Sequence, residues 1–361
     1  MRNGIVPPYL LQRLANQQPE RLAVAAGAAR STLKHDRTLR GLRAGEPAPP
    51  TTPPPRPGMR ADTAGLQRTI GDAAGSETTP GTIVRREGEG PVADPAVDEA
   101  YDGLGATYKL YSEVYGRDSI DGAGLPLNAT VHYGTDYDNA FWDGSQMVFG
   151  DGDGEVFGRF TASISVIGHE LTHGVTQYTA GLAYQGQSGA LNESISDVFG
   201  ALVEQYQARQ DVTAATWLIG KGLFTDQVQG TALRSMIAPG TAYDDDVLGK
   251  DPQPDNMSGY VTTSSDNGGV HLNSGIPNRA FAVAAVELGG FAWEELGQIW
   301  YDTLTGGKLS KTVRFAGFAT ATTKAARARY GVRSKQELAV RKGWETVGLP
   351  VKGLPLGKGK G

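Results

Sequence analysis

The sequence predicts an α+β protein of two domains, a sheet-rich first domain followed by a helix-rich second one. Residues 129–149 alternate apolar and polar positions between turn residues, as half-buried strands do. After Thr161 the apolar residues recur at intervals of three and four, which is typical of amphipathic helices. Strands followed by helices characterise the α+β class. With 361 residues, the chain is long enough for two domains and an N-terminal appendage.

The N-terminal appendage is expected to be a separate segment. Three leucines at helical spacing follow Pro7-Pro8, and residues 46–58 contain seven prolines. Such a proline-rich stretch favours an extended, solvated linker, where proteases cut readily. The expected boundaries are residues 1–60 for the appendage with its linker, 61–182 for the first domain and 183–361 for the second.

The secondary-structure elements are expected in the following order. A strand covers residues 82–85, and an amphipathic helix runs from Val97 to its stop at Gly116. Further strands lie within residues 129–149. Helices are expected over 161–179, 190–208, 276–288, 291–304 and 311–329.

Composition excludes several classes of protein. The chain has no cysteine, so disulfides, thiolate ligands and a cysteine nucleophile are ruled out, and any metal must be held by His, Asp or Glu. The net charge of −5 does not indicate a nucleic-acid partner. No apolar run reaches the roughly 18 residues of a membrane span. The first eleven residues show no signal peptide. A secreted protein with an unknown export route is nevertheless expected, with a cytoplasmic protein as the alternative.

His169-Glu170-Leu171-Thr172-His173 is the strongest functional signal. Residues four apart lie on one face of a helix, so both imidazoles can reach one metal ion. Glu170 lies beside that ion, where a carboxylate can take a proton from water. A chance match on an amphipathic helix is the alternative, although only five histidines occur in the chain.

A second acidic motif supports the metal site. Glu193 lies twenty residues after His173, and Asp197 follows four residues later on the same predicted helix face. Catalytic zinc needs a third protein ligand and an open fourth position, so Glu193 is expected to complete one site per chain. Asp197 can accept a hydrogen bond from a ligand imidazole. Asn192 is likewise expected to contact a ligand side chain and not the zinc ion itself. The alternative is that these acids form the solvated side of their helix.

Five further blocks accompany the His-Glu-x-x-His motif, and they are residues 139–142, 181–185, 189–193, 233–236 and 266–275. With this motif and these blocks, the sequence resembles the thermolysin family of zinc metallopeptidases over about residues 67–350, in the family's order. The resemblance implies two domains with an active-site cleft between them and a zinc-dependent neutral endopeptidase acting on polypeptides.

The N-terminal appendage is similar to the short propeptide of the protealysin subgroup, since Pro7-Pro8-Tyr9-Leu10-Leu11 stands near its start. This similarity implies a proenzyme whose propeptide acts as an intramolecular inhibitor. A plain disordered leader is the alternative.

The resemblance also implies roles for residues outside the zinc motif. His271 and Tyr184 would donate hydrogen bonds to the oxyanion of the tetrahedral intermediate, and Asp266 would orient His271. Arg234 would bind a substrate carbonyl. Asn139 and Ala140 would align the peptide as an added strand.

The pocket that follows the scissile bond is expected to be apolar, because its aligned residues are all apolar. A charged side chain buried there would lack a partner. Cleavage is therefore expected on the amino side of bulky apolar residues. The six aligned positions are Phe157, Phe160, Val166, Ile219, Leu223 and Leu233.

The double calcium site of the family is not expected here. Calcium takes six to eight oxygen ligands, several of them carboxylates. Ser165, Leu218 and Lys221 stand where acidic ligands are needed, and Lys221 is expected to pair with Glu204 instead. The alternative is that the insertion between residues 208 and 217, with Asp211, restores the missing ligands.

The two remaining histidines are not expected to take part in catalysis. His132 is interpreted as structural, and His35 as a surface residue of the propeptide.

A catalytically silent binding protein with the same fold is the alternative function, although the motif retains Glu170 and all three ligands. A zinc exopeptidase is disfavoured, because no additional charged cluster for a free chain end is evident.

Overall fold

The computed structural model describes residues 4–17, 22–43 and 65–351, and the proline-rich linker and residues 352–361 lie outside them. The N-terminal segment begins with helix α1, Pro8–Ala15, which has proline at its first position and buries three leucines as the sequence predicts. A second helix, α2, Ala23–Arg43, follows and was not predicted. Here "prosegment" denotes residues 4–17 and 22–43.

The first domain is built on a five-stranded sheet, in the order β2-β1-β3-β5-β4. Parallel pairing joins β1 to β3 and β3 to β5, while β2 and β4 pair antiparallel at the two edges. β4 is therefore an edge strand with one side available for another chain segment. The strands are β1 Arg68–Asp72, β2 Thr82–Arg86, β3 Leu127–Val131, β4 Ala140–Trp142 and β5 Met147–Phe149.

Two helices pack against this sheet and one leads into the second domain. Helix α3, Pro95–Lys109, is capped by the Asp94 side chain and continues as a π-helical turn to Val114. Helix α4, Ile164–Gln177, carries the His-Glu-x-x-His motif, and helix α5, Gly186–Ala208, carries the second acidic motif.

The second domain is mainly helical. The structure has helices over each of the five predicted segments, and α6 and α10 were not predicted. Two small antiparallel sheets of two strands each precede the later helices: β6 Leu218–Ile219 with β7 Arg234–Ser235, and β8 Asp244–Asp245 with β9 Gly249–Lys250. The later helices are α6 Asp266–Asn273, α7 Gly275–Leu288, α8 Glu295–Thr305, α9 Phe315–Tyr330 and α10 Lys335–Thr346.

The α+β prediction is confirmed, with a sheet-bearing first half and a helical second half. The boundaries at residues 60 and 182 remain predictions. Among the residues described, no helix is both long enough and apolar enough to cross a bilayer.

Helices α4 and α5 approach closely because glycine stands at their crossing. A Cβ atom added at Gly200 would lie 2.4 Å from the backbone oxygen of Ser165, and one at Gly168 would lie 3.0 Å from the Gly200 Cα atom. Any larger residue at Gly200 would push the helices apart. The crossing brings the predicted metal-binding faces of both helices together.

The interpretation of His35 as a surface residue is wrong. Helix α2 lies against the first domain, so the His35 ring packs edge-on against Tyr133 and Tyr137, with centroids 5.6 and 5.3 Å away. Its Nδ1 atom lies 3.3 Å from a carboxylate oxygen of Glu77. His132 has a structural environment, since its ring bridges carboxylates of Asp94 and Asp151 at 3.0 and 2.8 Å.

Candidate active site

Three predicted ligand side chains converge where α4 and α5 cross. The Nε2 atoms of His169 and His173 lie 3.0 Å apart. The Glu193 carboxylate lies 3.5 Å from each of them, through Oε2 and Oε1 respectively. His169 and Glu193 are fully buried. Ligands at about 2.0–2.2 Å from a tetrahedral zinc ion lie about 3.5 Å from one another, so this spacing suits zinc.

The outer nitrogens of both imidazoles are held by hydrogen bonds. The Nδ1 atom of His169 lies 2.7 Å from Asp197 Oδ1, and that of His173 lies 2.8 Å from Asn192 Oδ1. Because both partners are acceptors there, each Nδ1 donates its proton to its partner, and the two Nε2 atoms face each other. Ser196, which the sequence interpretation missed, adds a contact of 3.1 Å to His173.

The residues present fit a metal ion. Two imidazole nitrogens at 3.0 Å need a positive centre between them, either a proton or a cation. Burial lowers the pKa of His173 to about 4, whereas at His169 the Asp197 and Glu193 carboxylates outweigh burial and raise the pKa to about 9. The buried Glu193 Oε2 atom has no hydrogen-bond donor among the described residues. A zinc ion would satisfy all three groups at once.

Asp197 links this centre to two residues of the second domain. Its carboxylate accepts hydrogen bonds from Arg234 Nε and Nη2 at 2.9 and 2.8 Å and from Asn278 Nδ2 at 2.8 Å. Burial would raise the pKa of Asp197, but the Arg234 charge and the His169 hydrogen bond outweigh it and lower the pKa to about 2. Asp197 is therefore a carboxylate that fixes both His169 and Arg234. The sequence interpretation missed Asn278, which no local motif marks.

Glu170 lies beside the two histidines but keeps one oxygen unbound. Its Oε2 accepts a hydrogen bond of 2.9 Å from the backbone N–H of Trp142, while the buried Oε1 has no partner among the described residues. Burial raises the pKa of Glu170 to about 8. Such a carboxyl group is suited to proton transfer near neutral pH. Its anchoring to Trp142, in β4, places it at the edge strand of the sheet.

A third histidine, His271, lies beside the ligand set and belongs to α6. Asp266 accepts hydrogen bonds from His271 Nδ1 at 2.7 Å and from the His271 backbone N–H at 2.9 Å. Asn267, Gly268 and Gly269 adopt left-handed backbone angles, which fold the chain back so that Asp266 meets His271. Burial lowers the pKa of His271, but the charges of Asp266 and Glu193 outweigh it and raise the pKa.

Tyr184 shares this face of the centre. Its hydroxyl donates to Glu193 Oε1 and lies 3.4 Å from Nε2 of His271. Both rings are buried. Two potential donors therefore point toward the space next to the ligand set, where the charge of an oxyanion would develop.

The prosegment pairs with the edge strand β4. The Ile5 N–H donates to the Ala140 oxygen at 3.0 Å, and Gly4 forms an antiparallel bridge with Phe141. The Val6 N–H donates to Asn139 Oδ1 at 2.9 Å. The prosegment thus extends the sheet by one strand at the residues predicted to align a peptide.

Arg234 contacts the same strand. Its Nη1 atom donates to the Ile5 oxygen at 3.0 Å, while its other nitrogens remain on Asp197. Arg234 is fully buried, as is the Ile5 side chain. The three positions predicted to bind substrate backbone are therefore all occupied by residues 5 and 6 of the chain itself.

Helix α2 holds the adjoining loop through polar contacts. The Asp36 carboxylate accepts hydrogen bonds from the Tyr137 hydroxyl at 2.8 Å and from Asn139 Nδ2 at 3.1 Å. Thr32 Oγ1 accepts a further bond of 3.1 Å from the Asp138 N–H. Asn139 is consequently held between Val6 and Asp36, both of which belong to the prosegment.

The predicted specificity pocket consists of buried side chains. All six belong to the apolar cluster that also contains Ile5, and each is at most 1% exposed. The N–H group of Leu233, just before β7, donates a hydrogen bond of 3.0 Å to the backbone oxygen of Ile219 in β6. The six are Phe157, Phe160, Val166, Ile219, Leu223 and Leu233.

The positions aligned with the family's calcium ligands have protein partners. The Gly220 N–H donates to Ser165 Oγ at 3.1 Å, and Glu204 accepts a bond of 2.9 Å from Thr216. Asp211 accepts hydrogen bonds from Thr213 and the following N–H group within its own turn. Thr216 donates to Glu204 because the segment before β6 runs beside α5. Burial raises the pKa of Glu204 and outweighs the nearby Lys221 charge, which lowers that pKa.

Comparisons with known proteins agree with this geometry. Residues 62–177 match the family described as thermolysin metallopeptidase, catalytic domain, and residues 180–349 match thermolysin metallopeptidase, alpha-helical domain. An extracellular metalloprotease of Pectobacterium carotovorum subsp. carotovorum is 49% identical over 97% of both chains. Protease PrtS of Photorhabdus sp. is 46% identical over 97% of this chain and 92% of its own.

A solved structure is also similar. The precursor of protealysin, a metalloproteinase from Serratia proteamaculans, superposes with a TM-score of 0.85 at 49% identity, covering 96% of this chain and 99% of that one. The resemblance inferred from the motifs is thereby confirmed, and so are the predicted fold and enzyme class. The chain belongs to the thermolysin family of metallopeptidases.

Proposed function

We propose that the chain is the precursor of a zinc-dependent endopeptidase in which His169, His173 and Glu193 hold one zinc ion. The observation that carries this proposal is the convergence of the three ligating groups within 3.0–3.5 Å at the crossing of α4 and α5. A zinc ion bound there would activate the attacking water and polarise the substrate carbonyl.

The other residues of the site transfer protons, stabilise the oxyanion or position the catalytic groups. Glu170, with its free Oε1 atom, receives the proton of the attacking water and delivers it to the leaving amine. His271 and Tyr184 donate hydrogen bonds to the developing oxyanion, each donor contributing roughly 3 kcal/mol. Asp266 holds the His271 ring, and Asp197 holds His169.

Substrate is bound as a strand on β4. Asn139 and Ala140 pair with its backbone, and Arg234 binds a substrate carbonyl. The buried apolar pocket accepts the side chain of the residue after the scissile bond. Cleavage thus occurs on the amino side of bulky apolar residues, because a charge would be buried there without a partner.

The prosegment is the intramolecular inhibitor of this site. This role is supported by the contacts of residues 5 and 6, which occupy the hydrogen-bonding groups of Asn139, Ala140 and Arg234 that a peptide substrate would need. Removal of the prosegment by cleavage between about residues 47 and 67 then opens the cleft. Relatives named extracellular or found as precursors favour a secreted proenzyme. The comparisons give no support to a catalytically silent binding protein.

Replacing Glu170 by glutamine tests the assignment. The variant keeps the shape of the side chain but cannot accept a proton, so zinc content should remain at one per chain while turnover of a peptide substrate falls at least about a hundredfold. Glu294→Gln, at an exposed position, is the matched control and should change neither quantity. Near-normal turnover of the Glu170 variant would contradict the proposal.

A further inference from the structure

We propose that the Gly4–Ile5 peptide bond is itself a cleavage site, hydrolysed in cis by the active site on which it lies. This inference rests on the proposed endopeptidase function and extends it to a bond at the start of the prosegment. It differs from the cleavage in the linker, which separates the prosegment from the catalytic domains.

The strand register leads from the prosegment to the catalytic base. Along residues 139–141, Val6 contacts Asn139, Ile5 pairs with Ala140, and Gly4 is opposite Phe141. The next residue of β4 is Trp142, whose N–H group donates to Glu170 at 2.9 Å. The Gly4–Ile5 bond thus lies opposite the Ala140–Phe141 bond, one residue from the strand position that anchors Glu170.

Two observations place Ile5 at the pocket that follows the scissile bond. Its carbonyl oxygen accepts a hydrogen bond of 3.0 Å from Arg234, which directly follows the pocket residue Leu233 and is held by the buried pair with Asp197. Its side chain is bulky, apolar and 0% exposed. By the specificity proposed above, the bond on its amino side is the one that water attacks.

Gly4 fixes this register sterically. A Cβ atom added at Gly4 would lie 2.2 Å from Asn139 Cγ, so any other residue would collide with the side chain that binds Val6. A slip by one residue would place the side chain of Ile5 or Asn3 at that point. On the other side, Pro7 precedes α1, which leads the chain out of the strand. Gly4 and Pro7 thus restrict the register on both sides of Ile5.

The reaction is an ordinary hydrolysis. The water oxygen bonds to the Gly4 carbonyl carbon, and the bond between that carbon and the Ile5 nitrogen breaks. Glu170 transfers one water proton to the Ile5 nitrogen as this bond breaks. The second water proton passes from the new carboxyl group to the amine. The products are a carboxylate on Gly4 and an ammonium group on Ile5.

Cleavage at this bond leaves the rest of the prosegment bound. Leu10, Leu11 and Leu14 of α1 are each at most 1% exposed, and Arg13 donates to the Val247 oxygen at 2.9 Å. None of these contacts involves the residues before Ile5. The trimmed precursor is therefore still inhibited, with Ile5 as its first residue.

The test uses the full-length chain, analysed by intact mass and N-terminal sequencing during incubation. In the wild-type chain we expect a new N-terminus at Ile5 that appears before or together with cleavage in the linker. Its rate constant should not change when the protein is diluted a hundredfold, because the reaction is intramolecular. Glu170→Gln should retain the residues before Ile5.

Two further variants test the apolar pocket at Ile5 and the close contact between Gly4 and Asn139. Ile5→Asp places a charge in the apolar pocket and Gly4→Ala collides with Asn139, so both should slow trimming at least tenfold. Gln12→Ala, on the exposed side of α1, is the matched control and should trim at the wild-type rate.

The outcomes separate this inference from the function on which it rests. A chain that hydrolyses added peptides but retains its residues before Ile5 overturns the inference alone. Trimming whose rate rises with protein concentration also overturns it, because the cut would then occur between molecules. A chain that cuts neither bond nor added peptide overturns the proposed function as well.

Discussion

Replacing Asp36 by alanine should raise the activity of the full-length precursor without changing the enzyme that it becomes. The Asp36 carboxylate is 8% exposed and accepts hydrogen bonds from Tyr137 and Asn139 at 2.8 and 3.1 Å. The variant loses both bonds and leaves the Asn139 amide free to turn toward substrate.

The size of the effect follows from these two bonds. A hydrogen bond to a charged group contributes about 1.5–3 kcal/mol, so the loss of two weakens prosegment docking by roughly 3 kcal/mol or more. Since about 1.4 kcal/mol corresponds to a factor of ten, the docking equilibrium shifts by roughly a hundredfold. Basal activity of the precursor should increase in proportion.

The assay compares initial rates on a quenched peptide for the full-length precursor and for the mature enzyme produced by cleavage in the linker. Asp36 is absent from the mature enzyme, so the mature forms must have equal activity, and any difference between precursors reports latency alone. Arg37→Ala, exposed on the same helix, is the matched control. An unchanged ratio of precursor to mature activity for Asp36→Ala would refute the role of this contact.

The remaining predictions concern the metal, specificity, calcium and pH. Elemental analysis should find one zinc per chain, and a chelator should abolish activity; an active preparation free of zinc would contradict the site. A peptide library should show cleavage before Leu, Phe or Ile, and a preference for Asp or Lys would exclude the apolar pocket. With zinc saturated, millimolar calcium should change Tm little, and a rise of many degrees would show that ligands surround Glu204 after all. Burial raises the pKa of Glu337, but hydrogen bonds from Arg327, Arg333 and Arg341 outweigh it and lower the pKa from 4.5 to about 2. The resulting stabilisation, about 3 kcal/mol at neutral pH, is lost as pH falls from about 4.5 through 2. Glu337→Gln should therefore lower Tm at pH 7 and approach the wild type in acid, and a constant difference would contradict the ion pairs.

The sequence by itself determined the elements whose signal is local. The ligand pair His169 and His173 depends on the helical period alone, since residues four apart share a helix face. The leucines of α1 and the strands of residues 129–149 follow from the same kind of periodicity. Helix α10 was missed because its start depends on the polar cap between Ser334 and Glu337, which apolar spacing does not reveal.

Only the tertiary structure decided how the prosegment meets the active site. The contacts that hold it join residues far apart in the chain, such as Ile5 with Arg234 and Asp36 with Asn139. Side-chain hydrogen bonds of this kind leave no periodic pattern, because they depend on which edge strand and which helix face lie together after folding. For the same reason the sequence interpretation placed His35 on the surface, whereas the fold packs it between two tyrosines. Local sequence patterns identify the metal-binding and catalytic side chains, whereas tertiary packing determines which other segments of the chain contact them.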